Sequence, residues 1–482
     1  MSCPRLIIIV TGANSGIGFG ICHRLLIQLS TSDPLDARPQ FLPLDASASP
    51  GDVEGIPPCN ALTIIMACRS KTRAMDARQK LLDLLDDHVV REQRKPDYDG
   101  HADEFRDNLE LDFIPIDMSD IRSVFRFANV ISRKYPYISH LICNAGCGTF
   151  NGINWPKAIH QVLSHPIVGV TVTEFKKQLN GRTSGDGLGF VWQCNIFAHY
   201  VLFRHLQPSF VLYHKTYAQP ARILWMSSLE ASPAAYNHDD WQCIKSTLSY
   251  EASKYEIDLI ATRLSLLASS IGRDSPFRHI LVHPGISESN MTKDLVYSFL
   301  EIIKLFVFYI VRWCGSPNHT ITPFKAAIAA VHLSLVPLLY IPTHLMTFRH
   351  TENSTIPPGP IFYDGLYTSS LYSSGLKSAE AARIAEEQGI PPPLKFGSET
   401  DRFGRERVGV VTVLEWTEHE KESQFLLDKC ESLYQSFSKL ETVNVKGEAD
   451  NGNGHPQNGH MQNGHKKNGH AQNGNSQNGS TQ

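Results

Sequence analysis

LIIIVTGANSGIG, at residues 6–18, joins a short apolar run to a glycine-rich turn and the start of a helix. The run Leu6–Val10 contains no polar residue, which is typical of a strand buried on both faces of a parallel sheet. Gly12 permits a tight turn, Gly16 lets the backbone approach a pyrophosphate, and Gly18 allows close helix packing. The helix N-terminus would face the phosphates. This order predicts a dinucleotide site, whereas the same glycines in an ordinary turn would be structural.

Apolar runs and helical patterns alternate after this loop. The predicted strands are Leu6–Val10, Leu62–Ala67, Phe113–Ile116, Ile138–Cys143, Arg222–Met226 and Ile280–Val282. The predicted helices are Ile17–Leu29, Lys71–Leu85, Ile121–Lys134, Val191–Leu206 and Tyr250–Ala268. Such alternation predicts an α/β fold with a doubly wound, Rossmann-like parallel sheet.

The chain divides into parts of different composition. The predicted parts are a nucleotide-binding domain at 1–294 with insertions near 30–60, 86–110 and 229–249, an apolar helical segment at 295–346, an extension at 347–445 and an Asn-, Gly- and His-rich tail at 446–482. We expect the tail to be disordered, because it has too few apolar side chains to form a core.

Composition and charge exclude several classes of protein. Of the 482 residues, 42% are apolar and 19% are charged, which is typical of a globular chain. The formal net charge of -3 offers no basic field for nucleic acid, so we expect no nucleic-acid partner. No secretory signal is recognised, and we expect a reducing, cytosol-facing protein. The ten cysteines show no zinc-site spacing, and we predict no metal site.

The end of the second predicted strand bears on the choice of nicotinamide cofactor. Arg69, Ser70 and Lys71 stand where an acidic residue would select NAD through the ribose hydroxyls. A guanidinium, a hydroxyl and an ammonium suit a 2′-phosphate instead, so the sequence favours NADPH. Arg69 as a solvated strand-end charge is the alternative. Asp117 is predicted either to bond the adenine ring or to cap the next helix.

Further cofactor contacts are predicted around the two turns at the sheet edge. Asn144, Ala145 and Gly146 close the fourth strand with small residues that let the backbone approach a ligand. With the three glycines, the remaining candidates in the first loop are Thr11, Asn14, Ser15 and Ile17.

Tyr250 and Lys254 stand four residues apart, and on a helix both side chains point from one face. A nearby ammonium favours the phenolate, so we expect Lys254 to lower the pKa of Tyr250 and make it an acid-base group. Ser227 and Ser228 end a parallel strand, where a hydroxyl can bond a substrate carbonyl. Asn195 is a poor residue for a helix interior unless its amide has a task, such as holding a water beside Lys254.

Taken in order, the glycine loop, the Asn-Ala-Gly turn, Asn195, the serine pair and Tyr250 with Lys254 resemble the short-chain dehydrogenase/reductase family over about residues 5–295. The resemblance implies that Tyr250 protonates a carbonyl oxygen and that Ser228, or Ser227, orients it. It also implies that Lys254 binds the nicotinamide ribose and that Asn195 completes a proton relay.

The turn after the last strand of the domain also matches this family. His283-Pro284-Gly285 resembles the family's turn on the nicotinamide side. The resemblance implies that Pro284 and Gly285 contact the cofactor and makes Ser289 or Thr292 a candidate for the amide contact.

A narrower resemblance rests on the 21 residues 229–249 between Ser228 and Tyr250, a longer spacing than is usual in the family. With the Cys143–Gly146 turn and the apolar segment downstream, they resemble the sterol 3-keto reductases of fungi. That implies reduction of a 3-keto sterol to the 3β-alcohol with NADPH, during C-4 demethylation in ergosterol synthesis. It also implies the C-4 methyl oxidase, the C-3 decarboxylating dehydrogenase and their membrane scaffold as partners.

Two apolar stretches follow the domain. Leu295–Cys314 has the length of a membrane span, but Glu301 and Lys304 interrupt it, so an interfacial helix or a substrate-pocket wall is the alternative. Ala326–Met346 is broken by prolines and is also expected to reach a membrane. We expect a location on the cytosolic face of the endoplasmic reticulum membrane, with lipid droplets as a second site.

Two other functions remain open from the sequence. One is reduction of another lipophilic ketone or aldehyde, such as retinal or a polyketide. The other is a catalytically silent NADPH-binding scaffold of a membrane complex, against which the intact Ser, Tyr, Lys and Asn set argues.

Overall fold

The computed structural model describes residues 4–41, 59–164, 166–171, 173, 175–288, 298–342 and 393–452. The strands are β1 (Leu6–Thr11), β2 (Leu62–Cys68), β3 (Leu109–Pro115), β4 (His140–Cys143), β5 (Phe150–Ile153), β6 (Lys176–Gln178), β7 (Ala221–Met226), β8 (Phe277–His283), β9 (Leu394–Thr400) and β10 (Glu406–Thr412).

Helices alternate with these strands. They are α1 (Gly16–Leu29), α2 (Lys71–Gln93), α3 (His101–Asp107), α4 (Ile121–Lys134), α5 (Trp155–Ser164), α6 (Pro166–Thr171), α7 (Phe190–Trp192), α8 (Ala198–Tyr217), α9 (Ser249–Ser270), α10 (Ser298–Trp313), α11 (Pro323–Ala326), α12 (Ile328–Leu335) and α13 (Trp416–Gly452). A compact unit extends to Phe437, and a second unit begins at Ser438 within α13.

The central sheet has eight strands in the order β10-β9-β8-β7-β4-β1-β2-β3. Every neighbouring pair is parallel except β9 and β10, which are antiparallel. The strand order reverses direction on either side of β1, as in a doubly wound sheet, so the predicted Rossmann-like α/β fold is confirmed. Strands β5 and β6 form a separate antiparallel pair.

Each face of the sheet has its own hydrophobic core. Ile7 and Ile9 face the core formed with α4, α8, α9 and α13. Ile8 and Val10 face the other core, formed with α1, α2 and α12. The alternation explains why β1 is apolar throughout, since neither of its faces meets water.

The sheet continues past residue 294, where the predicted domain ended. Strand β9 pairs in parallel with β8 through Val282 and Phe396, and β10 forms a hairpin with β9. The sequence did not indicate these strands, because Lys395 and Ser398 interrupt the apolar run of β9. Both polar side chains are buried and hydrogen-bonded.

The second apolar stretch packs inside the protein instead of reaching a membrane over its described part. Helix α12 contacts α1, β8, β9 and β10, and residues 328–334 are all buried. Its apolar character therefore serves the core. Among the described residues, no helix has both the length and the apolar character needed to cross a bilayer.

The predicted insertions and tail contain more regular structure than expected. The segment near 86–110 holds the end of α2 and all of α3. Near 30–60, Phe41 is fully buried and Asp36 forms a buried ion pair with Arg24, while 42–58 lie outside the described residues. Helix α13 continues through Gly452, so the first residues of the predicted disordered tail are helical.

Candidate active site

The glycine loop turns sharply between β1 and α1. Gly12 and Gly16 have φ angles of +71° and +52°, which residues with a Cβ rarely adopt. A Cβ on Gly18 would lie 2.4 Å from the Gly12 carbonyl oxygen and 2.6 Å from Nδ2 of Asn144. The Ser15 side chain does not cap α1. The loop therefore presents an uncapped helix N-terminus, which favours an anionic group.

Thr11 ties this loop to the end of β4. Its hydroxyl oxygen accepts hydrogen bonds from the backbone N–H groups of Asn144 and Ala145, both at 2.8 Å. The Asn144 amide donates in return to the Thr11 carbonyl at 2.8 Å. The two turns are thereby fixed against each other. Asn14 in the loop and Ile17 in the first turn of α1 are half-buried.

Asn195 lies in a π-helical turn, Gln193–Phe197, that leads into α8. Its side-chain oxygen accepts from the Cys147 N–H at 2.8 Å, and its Nδ2 donates to the Cys147 carbonyl and the Ser253 hydroxyl, both at 3.0 Å. A Cβ on Gly146 would lie 3.2 Å from the same side-chain oxygen. Asn195 thus holds the loop after β4 against α9, at a kind of turn that is often functional.

Tyr250 and Ser228 meet at the carboxyl end of β7. The Ser228 hydroxyl hydrogen-bonds with the Tyr250 phenol and accepts from the Glu230 N–H at 3.0 Å. Burial raises the pKa of Tyr250, and the Glu230 charge raises it further, while the bond to Ser228 acts in the opposite direction. The phenol is therefore protonated at neutral pH, the form that can donate a proton.

The sequence led to the expectation of a lowered pKa for Tyr250 through Lys254, whereas its pKa is raised. The Lys254 ammonium lies 5.8 Å from the centroid of the Tyr250 ring. At that distance, burial and the carboxylate of Glu230 outweigh it. The spacing of four residues predicted the shared helix face but not the effects of burial and Glu230 on the phenol.

Lys254 is buried beside the end of β7. Its Nζ donates to the Met226 carbonyl at 2.7 Å. Burial lowers the pKa of Lys254 to about 8, against the opposing effects of Asp258 and Cys147. The side chain is therefore mostly a cation at neutral pH.

Ser227 and Ser228 have different neighbours. The Ser227 hydroxyl is buried, donates to the carboxylate of Asp258 and lies 3.4 Å from the Lys254 carbonyl oxygen. Ser228 is half-buried and bonds with Tyr250. Of the two serines that the sequence left open, Ser228 is the one at the phenol.

The basic residues after β2 border the glycine loop. Arg69 and Lys71 are exposed, while the Ser70 hydroxyl accepts from the Arg73 N–H at 3.4 Å and caps α2. The charge of Arg69 also acts on the pKa of Cys147. The Gly12 N–H donates to the Ala67 carbonyl at 2.8 Å, so the end of β2 that precedes Arg69 lies beside the glycine loop.

Asp117 follows β3 and stabilises the turn before α4. Its carboxylate accepts from the N–H and the hydroxyl of Ser119, at 2.9 Å and 2.7 Å. The cap of α4 is instead Asp120, which accepts from the Arg122 N–H at 2.9 Å. Asp117 therefore does not cap the helix.

The turn after β8 requires glycine. Gly285 has a φ of +70°, and a Cβ there would lie 2.7 Å from the Ser398 carbonyl oxygen. Pro284 is buried and precedes it. Ser289 lies outside the described residues.

The β5–β6 pair that covers Tyr250 was not predicted from the sequence. The Phe150 ring lies 5.5 Å from the Tyr250 ring, centroid to centroid. Lys176 Nζ bonds both carboxylate oxygens of Glu230, at 2.6 Å and 2.7 Å, and lies 5.9 Å from the Tyr250 centroid. In the sequence, the only sign of this contact was the acidic residue Glu230, two positions after Ser228, because Lys176 lies far from Ser228 along the chain.

A buried histidine also belongs to the site. His199 lies between the Thr11 hydroxyl, at 3.0 Å from Nε2, and the Asn195 carbonyl, at 3.1 Å from Nδ1. Burial lowers the pKa of His199 to about 3, so the ring is neutral. Over the described ranges, no three His, Cys, Asp or Glu side chains are grouped to hold a metal ion.

Known proteins resemble the chain over most of its length. The 3-keto-steroid reductase of Schizosaccharomyces pombe is 30% identical over 327 residues, which are 68% of this chain and 81% of the relative. That of Kluyveromyces lactis is 29% identical over 326 residues, 68% and 79% of the two chains. The RhlG/NADP active-site complex of Pseudomonas aeruginosa is 17% identical, with a TM-score of 0.40, and covers 69% of this chain and 90% of its own. The chain matches no protein-family model.

Proposed function

The chain belongs to the 3-keto-steroid reductases of the short-chain dehydrogenase/reductase family, and from this we propose its reaction, cofactor and location. The reaction is reduction of the 3-keto group of a sterol C-4 demethylation intermediate to the 3β-hydroxyl, in ergosterol synthesis, with NADPH. The observation that carries the proposal is the cluster of Ser228, Tyr250 and Lys254 where β7 ends beside the glycine loop.

The residues around the loop fit a nicotinamide dinucleotide. Gly18 leaves the space that a Cβ would fill against Gly12, and α1 begins without a side-chain cap. Those features suit the pyrophosphate. The exposed cations Arg69 and Lys71 suit the 2′-phosphate that distinguishes NADPH from NADH. The bound cofactor would supply the hydride.

Tyr250 provides the proton for the reduced oxygen. Its phenol is protonated because burial and Glu230 raise its pKa, and the Ser228 hydroxyl beside it can bond the same carbonyl oxygen. Two hydrogen bonds at that oxygen orient the ketone and stabilise the charge that develops on it. When the alkoxide forms, the phenolic proton moves to it.

Lys254 and Asn195 support this transfer. The Lys254 cation, with a pKa of about 8, would bind the nicotinamide ribose and stabilise the phenolate left after proton transfer. Asn195 fixes the loop at Cys147, and through Ser253 it fixes the helix turn that carries Lys254. Asn195 thus positions the site, and Lys254 supplies its positive charge.

Product analysis tests the substrate. The full chain in detergent micelles, supplied with NADPH and a 4-methyl-3-ketosterol, should form the 3β-alcohol. Retinal and a polyketide ketone are the comparison substrates. Turnover of one of these with no sterol product would assign the chain to another lipophilic carbonyl, and NADPH binding with no turnover of any substrate would support the scaffold function.

For location, we propose the cytosolic face of the endoplasmic reticulum membrane or of lipid droplets. Helix α10 exposes large apolar side chains at helical spacing: Ile302 71%, Phe306 65%, Tyr309 44%, Ile310 42% and Trp313 71% exposed. Such a stripe suits a helix lying in a membrane interface. A membrane location would also bring the chain to the C-4 methyl oxidase, the C-3 decarboxylating dehydrogenase and their scaffold.

Vesicle flotation tests this location. The chain should float with phosphatidylcholine vesicles, and Phe306→Ser with Trp313→Ser should reduce the floating fraction several-fold, because each removes exposed apolar area that the membrane would bury. Leu212→Ser, at a residue 50% exposed on α8, is the matched control and should float as the parent does. Equal flotation of all three proteins would contradict an α10 interface.

A further inference from the structure

An ion pair is buried at the carboxyl end of β7, in a place that the reaction above does not use. Lys395 Nζ lies 2.5 Å from Oδ2 of Asp258, and their side chains are 5% and 1% exposed. Lys395 comes from β9 and Asp258 from α9, so the pair joins the last part of the sheet to the helix that carries Tyr250 and Lys254.

Both partners also hold the residues around Ser228. Lys395 Nζ donates to the Ser228 carbonyl at 3.3 Å. The other carboxylate oxygen of Asp258 accepts from the hydroxyl of Ser227. The pair therefore holds the Ser227–Ser228 segment from two sides. The Ser228 hydroxyl is the one that bonds with Tyr250.

A need for stability does not explain this arrangement. Taking two charges out of water costs about as much as their attraction returns, and apolar residues of similar volume often serve a core as well. A gain in stability therefore gives no reason for a charged pair next to Ser228. A role in positioning the active site does give such a reason.

We propose that Lys395 and Asp258 are positioning residues for the reductase reaction: they hold Ser228 in place and set the charge that surrounds Lys254. The proposal rests on the proposed function, because it concerns the same site. Neither residue touches the reacting atoms in this account.

The charges around Lys254 come from several elements. Asp258 and Tyr250 lie on its own helix, Cys147 follows β4, His199 lies on α8 and Lys395 lies on β9. Asp258 raises the pKa of Lys254 and Lys395 lowers it. His199 is neutral, since its pKa is about 3.

The two partners should therefore shift the pKa of Lys254 in opposite directions when each is neutralised. Lys395→Met removes the charge that lowers this pKa, so the pKa rises. Asp258→Asn removes the charge that raises it, so the pKa falls. The double variant removes both charges, so the pKa lies between those of the two single variants.

NADPH binding reports the pKa of Lys254, and its measurement needs no sterol. Binding through the Lys254 cation is lost as pH rises through its pKa. Measured by NADPH fluorescence across pH, the loss should move about one pH unit upward in Lys395→Met and about one unit downward in Asp258→Asn. The double variant should lose binding at a pH between those of the two single variants, and Lys395→Arg, which keeps the charge, should follow the parent.

The turnover rate measures whether Ser228 is held in the position that the reaction needs. The double variant leaves no unpaired buried charge and should fold, yet kcat for the ketosterol should fall at least about tenfold with a smaller change in KM, because Ser228 is no longer fixed. Parent-like kcat in the folded double variant would overturn the positioning role. Identical pH curves for all variants would overturn the electrostatic role, whichever substrate the parent turns over.

Discussion

The individual neighbours of Tyr250 determine whether its phenol is protonated. Its phenol is buried, faces the ion pair of Glu230 and Lys176, and hydrogen-bonds with Ser228. Burial and Glu230 both hold its proton, because each disfavours the phenolate. A reductase needs that proton at the moment of hydride transfer, so a raised pKa fits the direction of the reaction.

Glu230→Gln tests this control. Glu230 raises the pKa of Tyr250, so its removal lowers that pKa. The reduction needs the protonated phenol and is lost as pH rises through its pKa, so the variant should lose activity at a lower pH than the parent. The measurement is kcat/KM for the ketosterol across pH at saturating NADPH, so that the loss of NADPH binding at the pKa of Lys254 does not set the profile.

Glu422→Gln is the control for this experiment. It removes a carboxylate that accepts from the Tyr236 hydroxyl at 2.7 Å, away from the Tyr250 phenol. Its pH profile should match that of the parent. A Glu230→Gln profile that moves to higher pH would show that another charge governs Tyr250.

The sequence predicted which residues meet here better than how they act on one another. Tyr250 and Lys254 share a helix face because four residues make about one turn. The carboxylate that raises the pKa of Tyr250 belongs instead to Glu230, which pairs with Lys176 on β6, 74 positions before Tyr250 in the chain. Periodicity contains no information on such tertiary neighbours.

At the scale of elements, the junction of β1, the glycine loop and α1 was predictable. An all-apolar run and three spaced glycines identify a buried strand, a turn and a helix start, and these elements lie as expected. The end of helix α8 was less predictable. It continues through Pro208 to Tyr217, beyond the predicted end at Leu206, because Phe210 and Tyr213 pack into the core and compensate for the proline.

Gly18→Ala tests the close approach of the loop. The added Cβ would meet the Gly12 carbonyl at 2.4 Å, so we expect weaker NADPH binding and a free energy of unfolding lower by about 1–3 kcal/mol. Fluorescence titration and denaturant unfolding measure the two effects.

Gly185→Ala is the matched control, because nothing lies within 4 Å of a Cβ there. It should bind NADPH and unfold like the parent. If Gly18→Ala also did so, the loop would have more room than the structure gives it.

For the whole molecule, the C-terminal hairpin completes the sheet that the first strands begin. Phe396 on β9 is 4% exposed and packs against Phe41, with ring centroids 6.0 Å apart, so residues more than 350 positions apart share one core. The sequence could not reveal this, because β9 mixes Lys395, Gly397 and Ser398 with its apolar residues. Their burial depends on partners elsewhere in the chain.

Phe396→Ala should therefore destabilise the whole unit. Removal of a buried aromatic ring costs about 3–5 kcal/mol in free energy of unfolding. Phe403→Ala, at a residue 82% exposed in the turn between β9 and β10, should cost little. Denaturant unfolding of both variants measures the difference, and equal midpoints would mean that the hairpin is not part of the cooperative core.

The proposed function is reduction of a 3-keto sterol with NADPH through Tyr250. The most direct measurement follows NADPH oxidation with a 4-methyl-3-ketosterol in detergent, for the parent, Tyr250→Phe and Tyr217→Phe, with NADH as the alternative cofactor. We predict turnover that prefers NADPH, is lost in Tyr250→Phe and persists in Tyr217→Phe. Full turnover in Tyr250→Phe, or none in a parent that binds NADPH, would contradict the account.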